Sequence, residues 1–134
     1  MRKLVVEVFS DIACPWCYIG KRRLEAALRE LEHRDAVRVV WRAYELDASA
    51  PAASSSPVDY VRRIAEKKRC SVAQAQAMIR HITEVGAAEG LDLRFDRIKP
   101  GNTFDAHRLI AFGRAHGREL ELTERVFQAY MTEG

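Results

Sequence analysis

Two cysteines separated by two residues, Cys14-Pro15-Trp16-Cys17, are the side chains of this chain whose type and spacing most directly imply chemistry. They lie between an apolar run, Leu4 to Phe9, and a helix-patterned segment from about Tyr18 to His33. At a strand-to-helix junction such a pair can close to a small disulfide ring. The first sulfur falls over the free N–H groups of the helix start, where the helix dipole favours an anion. Cys14 is therefore expected to be the acidic, attacking thiol, with a pKa in the ~3.5–7.5 range of reactive cysteines. Cys17, one turn deeper, is the expected resolving thiol. Pro15 suits the first helical turn, because the N–H it lacks would be unsatisfied there anyway. Two other readings compete, a pair of thiols that merely pack and half of a zinc site. A structural zinc site takes four ligands and only one pair is close in sequence, so no metal is expected.

The segment Phe9-Ser10-Asp11-Ile12-Ala13-Cys14-Pro15-Trp16-Cys17-Tyr18-Ile19-Gly20 resembles the active-site segment of DsbA-like thioredoxin-fold oxidoreductases. Within them it is most similar to the cytoplasmic FrnE-type branch, which is related to 2-hydroxychromene-2-carboxylate isomerase. Lys99-Pro100-Gly101-Asn102-Thr103 with Ala106-His107-Arg108-Leu109 resembles a second signature of that branch, and Ala129-Tyr130-Met131-Thr132-Glu133-Gly134 a third. The resemblance implies a thioredoxin-like α/β fold with an all-helical insertion, and thiol–disulfide exchange through Cys14 and Cys17 without a cofactor. It implies a thiol-containing protein or a small-molecule thiol, glutathione among them, as substrate. It also puts His107 and Arg108 beside the active site, to support a thiolate or hold substrate.

Read without the resemblance, His107 is an ordinary histidine of a first helical turn, and helix capping accounts for Asn102 and Thr103, although both could line the same cleft. Trp16 offers an apolar surface to substrate, and Asp11 and Tyr18 are candidates to tune the sulfurs. Cys70, a loop thiol ahead of a helix cap, is expected to be inert. His33, His81 and His116 are expected to be solvated. The isomerase and glutathione-transferase relatives typically carry serine where Cys14 stands and no second cysteine; this chain has both, which favours the dithiol oxidoreductase and leaves a glutathione-dependent isomerase or transferase as the alternative. A metal-binding or thiol-buffering module is the rival from another class.

Elements must position these residues, and composition limits which. A chain of 134 residues with 48% apolar and 31% charged residues is ordinary for one globular domain. A net charge of +3 spread along the chain gives no face for nucleic acid. No apolar run is long enough to span a bilayer, and Glu7 interrupts the first one, so the chain reads as cytoplasmic. In that compartment a dithiol is more often catalytic than structural, which an odd count of three cysteines supports.

Residues 3–9 read as a strand buried on both faces, and Val37 to Leu46 as a second. The helix between them puts Leu24, Ala27, Leu28 and Leu31 on one inward stripe, and Gly20 suggests a close approach. The pattern predicts a βαβ unit at 1–47, a small-residue linker at 48–57 and a helical segment at 58–134. Ser56-Pro57-x-Asp59 predicts a helix start, and Ser71-x-x-Gln74 a capping box opening a helix that Gly90 ends. Leu91 to Phe95 alternates over five residues and predicts an extended piece or at most a short edge strand. A helix from Asn102 or Thr103 ends at Gly117, and a last one at about 119–132 carries Leu122, Val126 and Tyr130 as its stripe, with Phe127 and Met131 beside it. A whole thioredoxin fold has two more strands, a final helix and a cis-proline loop after the insertion. The sequence is accordingly expected to lack the C-terminal part of that domain and to associate, as a homodimer or through exposed strand edges.

Overall fold

The computed structural model describes residues 3–134. Two parallel strands, β1 (Leu4–Ser10) and β2 (Val37–Ala43), flank helix α1 (Pro15–Glu30). They pair in register from Leu4 opposite Val37 to Ser10 opposite Ala43. Helices α2 (Tyr60–Lys68), α3 (Val72–Ala88), α4 (Phe104–Ala115) and α5 (Glu119–Gln128) follow, and a π-helical turn (Ala129–Glu133) closes the chain.

The strand is not buried on both faces as its composition predicts. Leu4, Val5 and Phe9 are 61%, 52% and 65% exposed, and burial in β1 is confined to its inward positions and its C-terminal Ser10. Two strands among the described residues give this sheet little cover. Glu7 and Arg42 form an ion pair across the outer side. The second strand ends at Ala43 rather than Leu46.

In α1 the anchoring side chains are Tyr18, Ile19 and Lys21 of the first turns, while Leu31 and Ala27 are exposed. The helical layer packs over the start of α1, and its later turns run on past that cover. Nothing approaches the space a Cβ would fill at Gly20, so the expected close approach is not there. One core joins the motif to the helices: Ile12, Tyr18 and Ile19 meet Leu91, Leu93, Phe95 and Ile98, then Ile110, Phe127 and Met131. The α5 stripe is accordingly Thr123, Phe127 and Met131, about one position round from the predicted one.

Local signals set most helix ends. Asp59, not Ser56, caps α2 by accepting from the Arg62 N–H at 3.0 Å. Ser71 and Gln74 form the predicted capping box, with bonds of 3.1 and 2.9 Å. Gly90 and Gly117 take positive φ just after α3 and α4, where a side chain would be strained. Leu91 to Phe95 forms no strand. Its alternate residues are buried in the core, and the Arg94 N–H donates to the Met131 carbonyl at 2.8 Å.

Candidate active site

Cys14 is the N-cap of α1 and Pro15 its first residue. Cys14 makes no side-chain cap bond, and the Trp16 and Cys17 N–H groups at the helix start favour a negative charge on its sulfur. The Cys14 N–H donates to the Asp11 carbonyl and the Cys17 N–H to the Cys14 carbonyl, each at 3.1 Å, which closes the turn between strand and helix. Both thiols are free and half-buried. Trp16 is exposed, with its ring centroid 6.1 Å from that of His81, also an exposed residue.

The two sulfurs hydrogen-bond each other and titrate as a pair, with one proton shared between them. The Cys14 thiol is the main stabiliser of a thiolate on Cys17. Burial opposes it, and the Asp11 N–H and the Ser10 hydroxyl assist it, bringing Cys17 down to about 6. Loss of the second proton, from Cys14, is pushed far up by that same hydrogen bond and then by burial. The helix-start argument assigned the low pKa to Cys14 alone. It contains no contribution from the end of β1, where Ser10 and Asp11 donate to Cys17.

Behind the cysteines lies a buried polar pair. His107, on α4, brings Nε2 within 3.1 Å of Asp11 Oδ1, and the two side chains are 9% and 2% exposed. The other Asp11 oxygen accepts from the Leu46 N–H at 2.8 Å, and the Thr103 hydroxyl also addresses the carboxylate. Burial alone would raise the Asp11 carboxyl. The His107, Leu46 and Thr103 bonds outweigh it and hold it below the ordinary carboxylate range.

The remaining candidates sort by position. Thr103 is the N-cap residue of α4 but makes no side-chain cap and turns to Asp11 instead. Asn102 accepts from the Phe104 N–H at 2.8 Å and donates to the carbonyls of Ala48 and Ala50, tying the 48–57 segment to α4. Arg108 is exposed, pairs with Asp105 one turn away, and is not brought to the sulfurs. Tyr18 is turned from them as well. It stacks on Phe127 at 4.7 Å and donates to Glu124 at 3.0 Å, and burial with that carboxylate pushes its phenol up to about 12. Cys70 lies between α2 and α3. Sequence reasoning named Asp11 only in passing and missed Ser10. Both belong to the strand end, and their approach to Cys17 and His107 depends on where α1 and α4 pack. On the open side a polar cleft of about 70 Å³ runs past Ala13 between Tyr60, Arg63 and Lys67. Among the described residues no three His, Cys, Asp or Glu side chains cluster so as to hold a metal ion, and no helix is long and apolar enough to cross a membrane.

The structure thus presents a dithiol at the start of the first helix of a βαβ unit, with a histidine of α4 behind it. The chain belongs to the family described as the DSBA-like thioredoxin domain, which it matches over residues 5–134. A probable DsbA oxidoreductase, SCO1869 from Streptomyces coelicolor, has a crystal structure that matches with a TM-score of 0.85 at 39% identity, over 96% of this chain and 54% of that one. The uncharacterized protein YwbO of Bacillus subtilis (strain 168) is 27% identical over 129 residues, 96% of this chain and 56% of its own length. The chain thus spans about half the length of the relatives it matches.

Proposed function

We propose that the chain carries a thiol–disulfide exchange centre in which Cys14 attacks and Cys17 resolves. The observation that carries this reading is the place of Cys14 as the N-cap residue of α1, one helical turn ahead of Cys17, with both thiols free. Because the two sulfurs share a proton, either can carry the first negative charge, and access decides which one reacts. Cys17 packs against the core, and Cys14 stands at the helix start, next in sequence to Ala13 of the Arg63 and Lys67 cleft. The Cys14 thiolate attacks a disulfide R–S–S–R′, forming Cys14–S–S–R and releasing R′–S⁻. The Cys17 thiolate then attacks the Cys14 sulfur, closing the ring and releasing R–S⁻. The substrate gains two electrons and the dithiol loses two; run backwards, the same steps oxidise a substrate dithiol.

The FrnE-type branch is supported by the place of its second motif, since Thr103 and His107 lie behind the cysteine pair. A cytoplasmic location is supported by the odd cysteine count. The substrate class is a thiol-bearing protein or small molecule. The test is a trap: Cys17→Ser is expected to accumulate a mixed disulfide through Cys14, and Cys14→Ser to lose exchange altogether. A mixed disulfide that maps by mass spectrometry to Cys17 in Cys14→Ser, with none formed by Cys17→Ser, reverses the assignment.

A further inference from the structure

Helix α2 carries four cations, Arg62, Arg63, Lys67 and Lys68, against a single carboxylate, Glu66. Among the described residues none of the four enters an ion pair. Arg63 and Lys67 stand four positions apart, so they share one face of the helix. Both line the polar cleft of about 70 Å³ beside the cysteine turn, together with Tyr60. Asp11 and Ala13, which lead into Cys14, line it as well. The two carboxylates of the cleft are already engaged. Asp11 is held by His107 and the Leu46 N–H, and Asp47 accepts from the Ser49 N–H and hydroxyl. Arg63 and Lys67 are exposed, and their charge is left for a group from outside the described chain. Tyr60 and Tyr130 add hydroxyls to the same cleft, and burial raises both phenols, so they stay protonated and can donate.

We propose that Arg63 and Lys67 determine specificity by holding a carboxylate of the substrate disulfide close to the sulfur that Cys14 attacks. This rests on the reading that Cys14 is the attacking thiol. The guanidinium of Arg63 presents paired N–H donors that match the two oxygens of a carboxylate, and Lys67 adds a point charge. The cleft is small, so what it recognises is one charged group rather than a long stretch of substrate. That group belongs to a small disulfide or to an acidic residue beside a cysteine. Unpaired cations along a cleft also concentrate anions there and speed their encounter by about tenfold or more. The carboxylate takes no part in the exchange and keeps its charge throughout. A disulfide without it still reacts, but without this hold.

The experiment compares initial rates of the reduced protein with Ellman's reagent, which carries a carboxylate on each ring, and with dithiodipyridine, which is uncharged at neutral pH. The ratio of the two rates cancels what a substitution does to the reactivity of the thiols themselves. Arg63→Gln combined with Lys67→Gln is expected to lower that ratio by about tenfold or more. Arg62→Gln combined with Lys68→Gln removes the same charge from the same helix, but from residues outside the cleft, and should leave the ratio within about twofold. Two peptide disulfides, one with Glu and one with Gln beside the cysteine, separate the sources of the carboxylate. A Glu-over-Gln preference lost in the Arg63 and Lys67 variant assigns the group to a protein substrate; a loss confined to Ellman's reagent assigns it to a small molecule, and both support the site. Ratios unchanged within about twofold for both pairs of substrates overturn it. An equal fall in the Arg62 and Lys68 variant overturns it too, because the preference then belongs to the general field of α2. The underlying reading fails separately, if Cys17→Ser forms no mixed disulfide at Cys14 with the uncharged reagent.

Discussion

Replacing Glu124 by glutamine removes a carboxylate that Tyr18, Lys21 and Arg22 of α1 all address from the cysteine-bearing helix. Lys21 is 3% exposed, so the change strips one of two partners from a buried ammonium and leaves it Glu25. Breaking a fully buried pair costs about 3–5 kcal/mol. Glu124 is 30% exposed and Glu25 36%, so solvent screens both, and about 1–2 kcal/mol is the expected loss. For a chain of this size that lowers Tm by about 3–8 °C. The loss should depend on pH. Burial alone would raise the Glu124 carboxyl, but hydrogen bonds from Arg22, Lys21 and Tyr18 hold it at about 2, against an ordinary 4.5. A depressed folded pKa stabilises the fold above the unfolded value, and that stabilisation fades as pH falls toward the folded one. The gap between wild type and Glu124→Gln should therefore be full at pH 6–7 and shrink between about pH 4.5 and 2. Urea unfolding of both proteins across that range measures it. Adding Lys21→Met to Glu124→Gln should restore part of the loss, because the buried ammonium is then gone. A gap below about 0.3 kcal/mol at neutral pH, or one that does not shrink in acid, refutes the reasoning.

Ser71→Ala should cost about 1 kcal/mol, read by chemical denaturation, because it removes the reciprocal bonds of the α3 capping box. Gly20→Ala should be neutral or stabilise by up to about 1 kcal/mol, since the site is helical and its Cβ direction is open. Gly101→Ala should destabilise by about 1–3 kcal/mol in the same assay, because the added carbon runs into the backbone of Ala53. Association through the exposed side of β1 should show as concentration-dependent sedimentation, reduced by Phe9→Lys; a single monomer species across the range would rule it out.

The fold was most legible where its causes are local. The cysteine helix start, the Ser71 box and the glycines after α3 and α4 each follow from a few adjacent residues. The start of α2 went astray because Ser56-Pro57 and Asp59 both offer caps, and the choice falls to the residue whose carboxylate reaches the Arg62 N–H. Burial along β1 was misjudged because an apolar run says nothing about how many strands and helices are present to cover it. At the site, the Cys14 seat was readable from spacing alone. Asp11 was read only as a candidate to tune the sulfurs and Ser10 not at all, because their partners Cys17, His107 and Leu46 meet them only after α1, α4 and the end of β2 have packed. Tyr18 was misplaced for a related reason: its neighbour in sequence is a sulfur, but its neighbour in space is Phe127.

Residues 48–57 have the composition of a free tether, yet they are fastened along their length. The Asn102 N–H meets the Pro51 carbonyl at 2.8 Å, the Ser54 N–H meets Pro100 at 3.0 Å, and the Asn102 amide spans Ala48 and Ala50. A hinge needs torsional freedom at its ends, and these bonds remove it close to where the helical layer would have to pivot. The helices therefore cannot swing away from the cysteines as a lid does. Room for a bulky disulfide has to come from rotation of exposed side chains at the rim, Trp16 against His81 first among them. What these bonds hold together is the position of the 48–57 segment against the loop that opens α4, so the two are expected to move as one body.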